Sequence, residues 1–387
     1  MTNTFTEVTG KSWFGRIWES IKSMLLGVVL FLAAFVVLFW NEGRAVVTAQ
    51  SLAEGSRVVL SVDAAQISPQ NENKLIHITG TANTTEVLRD SQFPISATAL
   101  KLQRTVEMYQ WVEDKKTDTH KKVGGGEETT TTYTYNKQWS DTWHDSSSFK
   151  QASDHINPRK AVESNTLVAP KITVGAFELS AGLVGQIHGS QPLPLPADAP
   201  ETLPDGFKKN AAGYFRGDKP DQPQIGDLRV AFAVVKPQEV SIVAQQAGGA
   251  LRGYATKAGR TLEMLETGSH SAADMFQTAA TQNAHLTWIL RGVGFLAMWI
   301  GLMLFVNPFK ILADVIPFFG SLVGAGLAIV TALVAAPLSL LTIAVAWFFF
   351  RPLLSIGLLA AAGALVFGLV MVIIKLRRPK AAAPASA

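Results

Sequence analysis

The chain contains no cysteine among its 387 residues. This absence excludes disulfide bonds, thiolate metal sites and cysteine nucleophiles, although it does not identify the compartment. Charge is also scarce, since charged residues make up 17% of the chain while hydrophobic residues make up 48%. Because the apolar residues are concentrated in a few long runs, this composition is typical of a membrane protein and unusual for a soluble globule.

The sequence also lacks the common signatures of binding and catalytic chemistry. The formal net charge is only +4 and the basic residues form no stripe with interleaved aromatics, so nucleic-acid binding is not predicted. The seven histidines do not occur at the short spacings that put two metal ligands on one face. Phosphate-binding glycine loops, a nucleophile-elbow serine and a dinucleotide motif are missing too. We therefore predict no catalytic residues, no cofactor and no metal.

Four apolar runs predict four transmembrane helices, one N-terminal and three C-terminal. They cover residues 24–40, 287–306, 318–350 and 353–374. Asn307 and Pro308 are expected to end the second span. The third run is either one long helix kinked at Pro337 or a span with a partly buried segment. A cleaved signal peptide is the alternative for the first run, but its length and the closely following Glu42 and Arg44 favour an uncleaved anchor.

Basic residues flank the apolar runs at both ends of the chain. Because short cytoplasmic segments are enriched in Lys and Arg, we expect both termini, residues 1–23 and 375–387, to face the cytoplasm. Four crossings then place residues 41–286 on the far side and Lys310 on the cytoplasmic side. Within the N-terminal segment, Trp13, Phe14, Ile17, Trp18 and Ile21 recur at helical spacing, which indicates either an interfacial helix or the start of a longer anchor helix.

Residues 41–286 are predicted to form a large β-rich α+β extramembrane domain. Short alternating runs indicate strands at residues 56–62, 74–80, 98–113, 129–143, 167–174, 229–235 and 240–245. The two longest strands flank Gly124, Gly125 and Gly126 and therefore indicate an extended hairpin. Ser271 and Asp274 fit the start of a helix that continues into the second span.

The predicted hairpin carries a stripe of aromatic residues. We name as a candidate interaction surface Tyr109, Trp111, Tyr133, Tyr135, Trp139 and Trp143. Such a stripe is more often the packing face of a sheet than a binding face.

Small residues at a spacing of four occur twice in the C-terminal runs, as Gly320 with Gly324 and Ala364 with Gly368. They are candidates for close helix packing, either within one chain or between copies in a homo-oligomer.

Several short blocks of sequence resemble the transmembrane protein 43 family, also called LUMA. They are residues 41–45 (NEGRA), 51–55 (SLAEG), 106–113 (VEMYQWVE), 133–136 (YTYN) with Trp139, 226–230 (GDLRV) and 351–353 (RPL). The resemblance implies four spans and a large domain in the lumen of the endoplasmic reticulum and nuclear envelope. It also implies self-association and a role in organising complexes with partners such as lamins and emerin. The alanine- and proline-rich tail and the missing cysteine depart from the animal pattern and would fit a bacterial homologue without lamin partners.

Three functional hypotheses follow from these observations. The first is a non-enzymatic membrane scaffold, whose partners besides the lipid bilayer are unknown. The second is a membrane-bound enzyme or sensor that acts on lipids or envelope components, and the third is a channel or carrier. The expected location is the inner membrane with a periplasmic domain in a bacterium, or the endoplasmic reticulum and inner nuclear membrane in a eukaryote.

Overall fold

The computed structural model describes residues 3–314 and 317–377. Within them the helices are α1 (Trp13–Val58), α2 (Ala181–Gly185), α3 (Ala272–Ala313), α4 (Pro317–Phe350) and α5 (Pro352–Arg377). The strands are β1 (Thr4–Lys11), β2 (Leu60–Ser61), β3 (Leu75–Asn83), β4 (Val87–Arg89), β5 (Ser96–Thr98), β6 (Lys101–Lys121), β7 (Glu127–Ser140), β8 (Asn165–Val168), β9 (Thr173–Val174), β10 (Phe177–Glu178), β11 (Gln191–Pro192), β12 (Lys208–Asn210), β13 (Gly213–Arg216), β14 (Leu228–Val235), β15 (Gln238–Ala247), β16 (Ala250–Arg252), β17 (Tyr254–Ala255), β18 (Thr261–Leu262) and β19 (Met264–Thr267).

The described chain divides into two compact units. The β unit comprises residues 3–8, 51–118 and 130–279, and the helical unit comprises residues 9–50, 119–129, 280–314 and 317–377. Most of the predicted C-terminal tail, residues 378–387, lies outside the described residues.

Two sheets form the core of the β unit. The first follows the order β1-β7-β6-β14-β13-β12, with β11 beside β14 and β8 beside β6. The second follows β19-β15-β16-β10-β9-β3-β2, with β15 also paired to β3. Buried side chains from both sheets belong to one apolar cluster, which includes Val106, Val230, Ile78 and Ile242. The observed architecture, membrane helices with a large β-rich domain, is therefore the fold class predicted from the sequence.

The alternation predicted for β6 is present in the structure. Leu102, Val106 and Met108 are buried on one side of the strand, and they pair in register with β14, where Val106 lies opposite Val230. Arg104 occupies the same buried side, and its guanidinium meets Asp90 at 2.5 Å. A buried arginine on an apolar face is tolerated here because a carboxylate and a backbone carbonyl satisfy its donors.

Helices α1 and α3 both end well beyond the positions that the sequence predicts. Helix α1 continues to Val58, so the strand predicted for residues 56–62 is wrong over its first half and only Leu60–Ser61 pairs with β3. Helix α3 continues through Pro308 to Ala313. Helix α4 is one continuous helix through Pro337, as one of the two alternatives for this run predicted. A proline removes one N–H from a helix, and apolar surroundings favour continuation over exposing further backbone groups.

In the described residues, three helical segments are long and apolar enough to cross a membrane. These are Trp13–Val58, Ala272–Ala313 and Leu322–Phe350. The fourth predicted run lies in helix α5.

The last turns of α1 and the first turns of α3 belong to the β unit. Leu52 from α1 and Met275 and Phe276 from α3 are buried in one small apolar cluster with Leu75 and Leu262 of the sheet. The Ser271 hydroxyl accepts the N–H of Asp274 at 3.1 Å and so starts α3. Both helices are therefore rooted in the same part of the β unit.

Gly55 is required where the two helices approach the sheet. A Cβ built at this position overlaps Leu262 Cδ1 and lies 2.9 Å from Phe276 Cε1. No ordinary side chain fits without moving one of these two residues.

We predict that Gly55→Ala destabilises the β unit by about 1–3 kcal/mol, because the extra methyl overpacks the cluster. Thermal unfolding of the purified protein should show a lower transition temperature. Gly185→Ala is the matched control, since a Cβ at Gly185 meets nothing within 4 Å. Equal transition temperatures for the two variants would contradict the packing role of Gly55.

Candidate functional site

Tyr135, one of the six aromatic residues singled out in the sequence, is buried in the β unit. Its ring stacks on the His155 imidazole with the centroids 3.7 Å apart. The hydroxyl donates to Glu113 Oε2 at 2.8 Å and accepts the N–H of Gln151 at 2.9 Å. Burial, together with the hydrogen bond to the Glu113 carboxylate, raises the pKa of Tyr135 to about 12. The hydroxyl is thus a fixed neutral donor that ties β7 to β6 and to the following loop.

The other five aromatics are half-buried, and each has neighbours in the β unit. Trp139 packs against Tyr109 with the centroids 5.4 Å apart, and the Arg229 guanidinium lies 4.7 Å above its ring. Trp111 meets the edge of His155 at 4.7 Å and carries Lys137 on its face. The structure therefore joins Tyr109 to Trp139 and places Trp111 and Tyr135 on one histidine.

Tyr133 and Trp143 lie apart from these two groups. Tyr133 packs against Phe5 and is approached by Lys115 and Lys150. Trp143 donates its indole N–H to the Pro158 carbonyl at 2.9 Å. The role of the six aromatics as an interaction surface remains a prediction.

The small-residue pairs differ in their surroundings. A Cβ built at Gly324 lies 2.9 Å from Lys310 Cε, so this glycine packs against α3 of the same chain. A Cβ at Gly368 meets nothing within 4 Å, and Ala364 is exposed on the same helix. Gly320 lies in α4, and its surroundings are outside the described residues.

One close helix crossing uses glycines that the sequence interpretation missed. A Cβ on Gly27 of α1 lies 2.6 Å from the Gly301 carbonyl oxygen of α3, and a Cβ on Gly301 lies 2.7 Å from the Phe31 nitrogen. The two backbones are therefore in direct contact at this point, which only glycine permits.

A buried ion pair connects α1, α3 and α4 in the helical unit. Glu42 of α1 is 1% exposed and accepts two hydrogen bonds from Arg291 of α3, with Nε–Oε1 and Nη2–Oε2 distances of 2.6 and 2.8 Å. The Trp347 indole N–H of α4 also donates to Glu42 Oε2. The Arg291 guanidinium lies 4.6 Å from the centroid of the Trp288 ring and 5.4 Å from that of the Trp347 ring, so it contacts two aromatic rings.

A second set of polar contacts extends this ion pair by one helical turn. Asn41, fully buried, donates to the Thr287 carbonyl at 3.1 Å. Arg44 donates to Asn283 Oδ1 at 2.9 Å and to Thr287 Oγ1 at 2.9 Å. Asn283 in turn donates to the Ala45 carbonyl at 3.0 Å. We call Asn41, Glu42, Arg44, Asn283, Thr287, Arg291 and Trp347 the polar cluster.

The sequence contained a signal for this cluster that was not used. Arg291 lies inside the second apolar run, and a cation among apolar residues in a membrane requires a counter-charge. Glu42, at the end of the first run, supplies that charge. The pairing was missed because nothing local in the sequence relates these two positions.

A further group of buried charges lies at the start of α1 and the end of α3. Asp314 is fully buried and meets Arg16 at 2.5 Å and Lys121 at 2.6 Å. Arg16 also meets Glu127 at 3.1 Å and donates to the Gly125 carbonyl at 2.5 Å. We call these residues the junction, since they join three segments of chain, including the turn between β6 and β7.

The charges at the junction balance each other. Burial alone would raise the pKa of the Asp314 carboxyl, but hydrogen bonds and charge from Lys121 and Arg16 outweigh burial and hold that pKa below its usual range. Trp13 packs beside the junction. Its indole N–H donates to the Ile311 carbonyl at 3.0 Å, and its ring lies against Gly125.

Neither charged cluster resembles a catalytic or metal centre. Among the residues that the structure describes, no three His, Asp or Glu side chains are grouped so as to hold a metal ion. What the polar cluster does is join three helices through one carboxylate.

We predict that Glu42→Gln destabilises the helical unit by about 3–5 kcal/mol, because it leaves Arg291 buried without its counter-charge. Thermal unfolding of the purified protein measures the loss. Glu19→Gln is the control on the same helix: its partner Lys11 lies at 2.7 Å, both side chains are about half exposed, and the expected change is below about 1 kcal/mol. Equal losses of stability in the two variants would show that the buried ion pair stabilises the protein no more than the exposed one.

Comparison with known proteins gives a consistent match over most of the chain. Residues 108–352 match the family model described as Transmembrane protein 43. Transmembrane protein 43 of Rattus norvegicus is 37% identical over 350 residues, and that of Homo sapiens is 36% identical over 350 residues, each covering 87% of both chains. The Transmembrane protein 43 homolog of Drosophila melanogaster is 30% identical over 345 residues, covering 87% of this chain and 91% of its own. No solved structure matches the chain significantly.

The family model covers β6 from Met108 onward, β7, most of the β unit, and helices α3 and α4. The curated relatives match over nearly all of their own length. The apolar helices and these relatives together establish an integral membrane protein. The chain belongs to the transmembrane protein 43 family.

Proposed function

We propose that the protein is a non-enzymatic, multi-pass membrane scaffold that organises protein complexes or membrane structure through its β unit and its helices. The observation that carries this proposal is that two membrane helices end in the same apolar cluster of the β unit. Leu52 of α1 and Phe276 of α3 are buried in the same cluster, so the ends of two membrane helices belong to the β unit. A domain held at two points has restricted freedom, which suits a protein that presents a surface to partners.

Two contacts hold helices α1 and α3 together in the helical unit. The ion pair between Glu42 and Arg291 and the contact between Gly27 and Gly301 hold α1 and α3 together at two levels. Breaking such a buried ion pair costs about 3–5 kcal/mol, so the two helices are expected to move as one body. This rigidity supports the proposed role as a scaffold.

We further propose that copies of the chain associate through helix α5. Ala364 and Gly368 lie one turn apart, both are exposed, and the space beside Gly368 is open. Small residues allow the close backbone approach on which helix association in membranes depends.

The test is chemical cross-linking in native membranes. We expect dimers or larger species for the wild type and a clear loss of them for Gly368→Leu, which fills the proposed contact. Gly357→Leu is the control, because Gly357 is also exposed on α5 with open space beside it. Recovery of monomers alone, with no partner protein attached, would count against both the scaffold and its self-association.

We propose from the basic residues at both ends that the termini face the cytoplasm. This protein would then lie in the inner membrane of a bacterium, or in the endoplasmic reticulum and inner nuclear membrane of a eukaryote. Far-side placement of all of residues 41–286 would separate Lys121 and Glu127 from Arg16 and Asp314. The junction holds these four residues together, so while it is formed all of them lie on one side of the membrane.

We predict that the β6–β7 turn is labelled from the same side as the start of α1, because Asp314 would otherwise be buried without Lys121. The missing cysteines allow single-cysteine labelling in an unmodified background. Val123→Cys reports on the turn, where this side chain is 91% exposed, and Lys22→Cys reports on α1. Ser148→Cys provides an exposed reference in the β unit.

A membrane-impermeant maleimide applied to sealed vesicles gives the side of each position. Labelling of Val123→Cys and Lys22→Cys from the same side would indicate that the junction is formed when the protein is embedded in a membrane. The boundaries of the far-side segment within residues 41–286 would then need to be redrawn. Labelling from opposite sides would mean that the junction opens on insertion and that the orientation predicted from the sequence holds.

A further inference from the structure

A cavity of about 390 Å³ opens between α1, α3 and α4 beside the polar cluster. It is lined by Arg291, by Arg351 and by the ring of Trp288. All of its walls belong to the helical unit.

The charges that line the cavity do not cancel. Glu42 is its only acidic lining residue, and both oxygens of that carboxylate are already bound by Arg291 and the Trp347 indole. Arg351 is exposed at the end of α4, and no carboxylate lies within ion-pair distance of it in the described part of the chain. The cavity therefore carries one positive charge in excess.

Two exposed tryptophans favour a position of the cavity at the surface of the bilayer. Trp40 and Trp288 lie at the same end of the helices and are 58% and 68% exposed. Exposed tryptophans concentrate at the level of lipid headgroups, where their rings are apolar and their N–H groups remain wet. An excess cation at this level faces the phosphate groups of the lipid.

An apolar groove accompanies the cavity. It has a volume of about 760 Å³, runs between α1 and α4, and is lined by Phe35, Phe39, Val345 and Phe350. Glu42 and Gly43, adjacent on α1, line the cavity and the groove respectively. A phosphate at Arg351 and an acyl chain along the groove are thus within the reach of one lipid molecule.

We propose that this cavity is a binding site for an anionic phospholipid, whose phosphate is held by Arg351 and whose acyl chain lies in the groove. Arg291 remains committed to Glu42 and contributes its charge without changing partners. Trp288 and Trp347 exclude water from one side of the phosphate. The excess charge selects a lipid with net negative charge over a zwitterionic one.

Native mass spectrometry of the detergent-purified full chain tests the proposal. The probes are phosphatidylglycerol, phosphatidylcholine and inorganic phosphate, each added separately, and inorganic phosphate also in competition with phosphatidylglycerol. The variants are Arg351→Gln, Arg351→Lys and the control Lys22→Gln, which removes one exposed charge from α1 outside the cavity. Arg291 is left unchanged because its removal would strand Glu42.

We expect retained phosphatidylglycerol adducts in the wild type and about five-fold weaker retention in Arg351→Gln, the effect of one interfacial cation. Arg351→Lys and Lys22→Gln should retain the lipid nearly as the wild type does. Three results would overturn the site: equal retention of phosphatidylcholine and phosphatidylglycerol, retention of phosphatidylglycerol in Arg351→Gln equal to that of the wild type, or the same loss of retention in Lys22→Gln as in Arg351→Gln. Displacement of the lipid by inorganic phosphate would identify a soluble-phosphate site and overturn the lipid assignment.

Discussion

The ion pair between Glu42 and Arg291 is the constraint on which the helical unit depends. A guanidinium inside an apolar helix bundle is stable only with a carboxylate at hydrogen-bonding distance, and here both oxygens are used. The pair fixes the rotation of α1 and α3 about their axes, because only one face of each helix carries the charge. That rotation also turns Gly27 toward Gly301 and buries Leu38 and Met298 in the shared apolar cluster.

Buried polar groups in the β unit are also paired with carboxylates. Arg104 and Tyr135 are polar groups on buried faces, and each is matched by a carboxylate, Asp90 and Glu113 respectively. These contacts tie the long strand β6 to Asp90, which follows β4, and to strand β7. Apolar packing then roots the ends of α1 and α3 in the unit through Leu52 and Phe276. This shared packing of the two helix ends is the physical basis of the scaffold proposal.

Sequence reasoning succeeded where the signal is local. The two-residue alternation of residues 98–113 predicted strand β6, and the glycine run predicted the turn before β7. It failed at helix ends, because α1 continues to Val58 and α3 passes through Pro308. Packing of these ends stabilises helical backbone that local propensity would have ended. The candidate site was the least predictable part, since both the polar cluster and the junction join residues that are more than a hundred positions apart.

By itself, the sequence determined the membrane class, the β-rich domain between the apolar runs, and the family through its short residue blocks. Hydrophobic length and strand alternation are properties of neighbouring residues, so the chain specifies them without reference to its fold. Only the tertiary structure decided which charges are partners: Arg291 with Glu42, and Arg16 and Lys121 with Asp314. An ion pair in an apolar environment depends on distance in space and on the exclusion of water, and neither quantity is written in the order of residues along the chain.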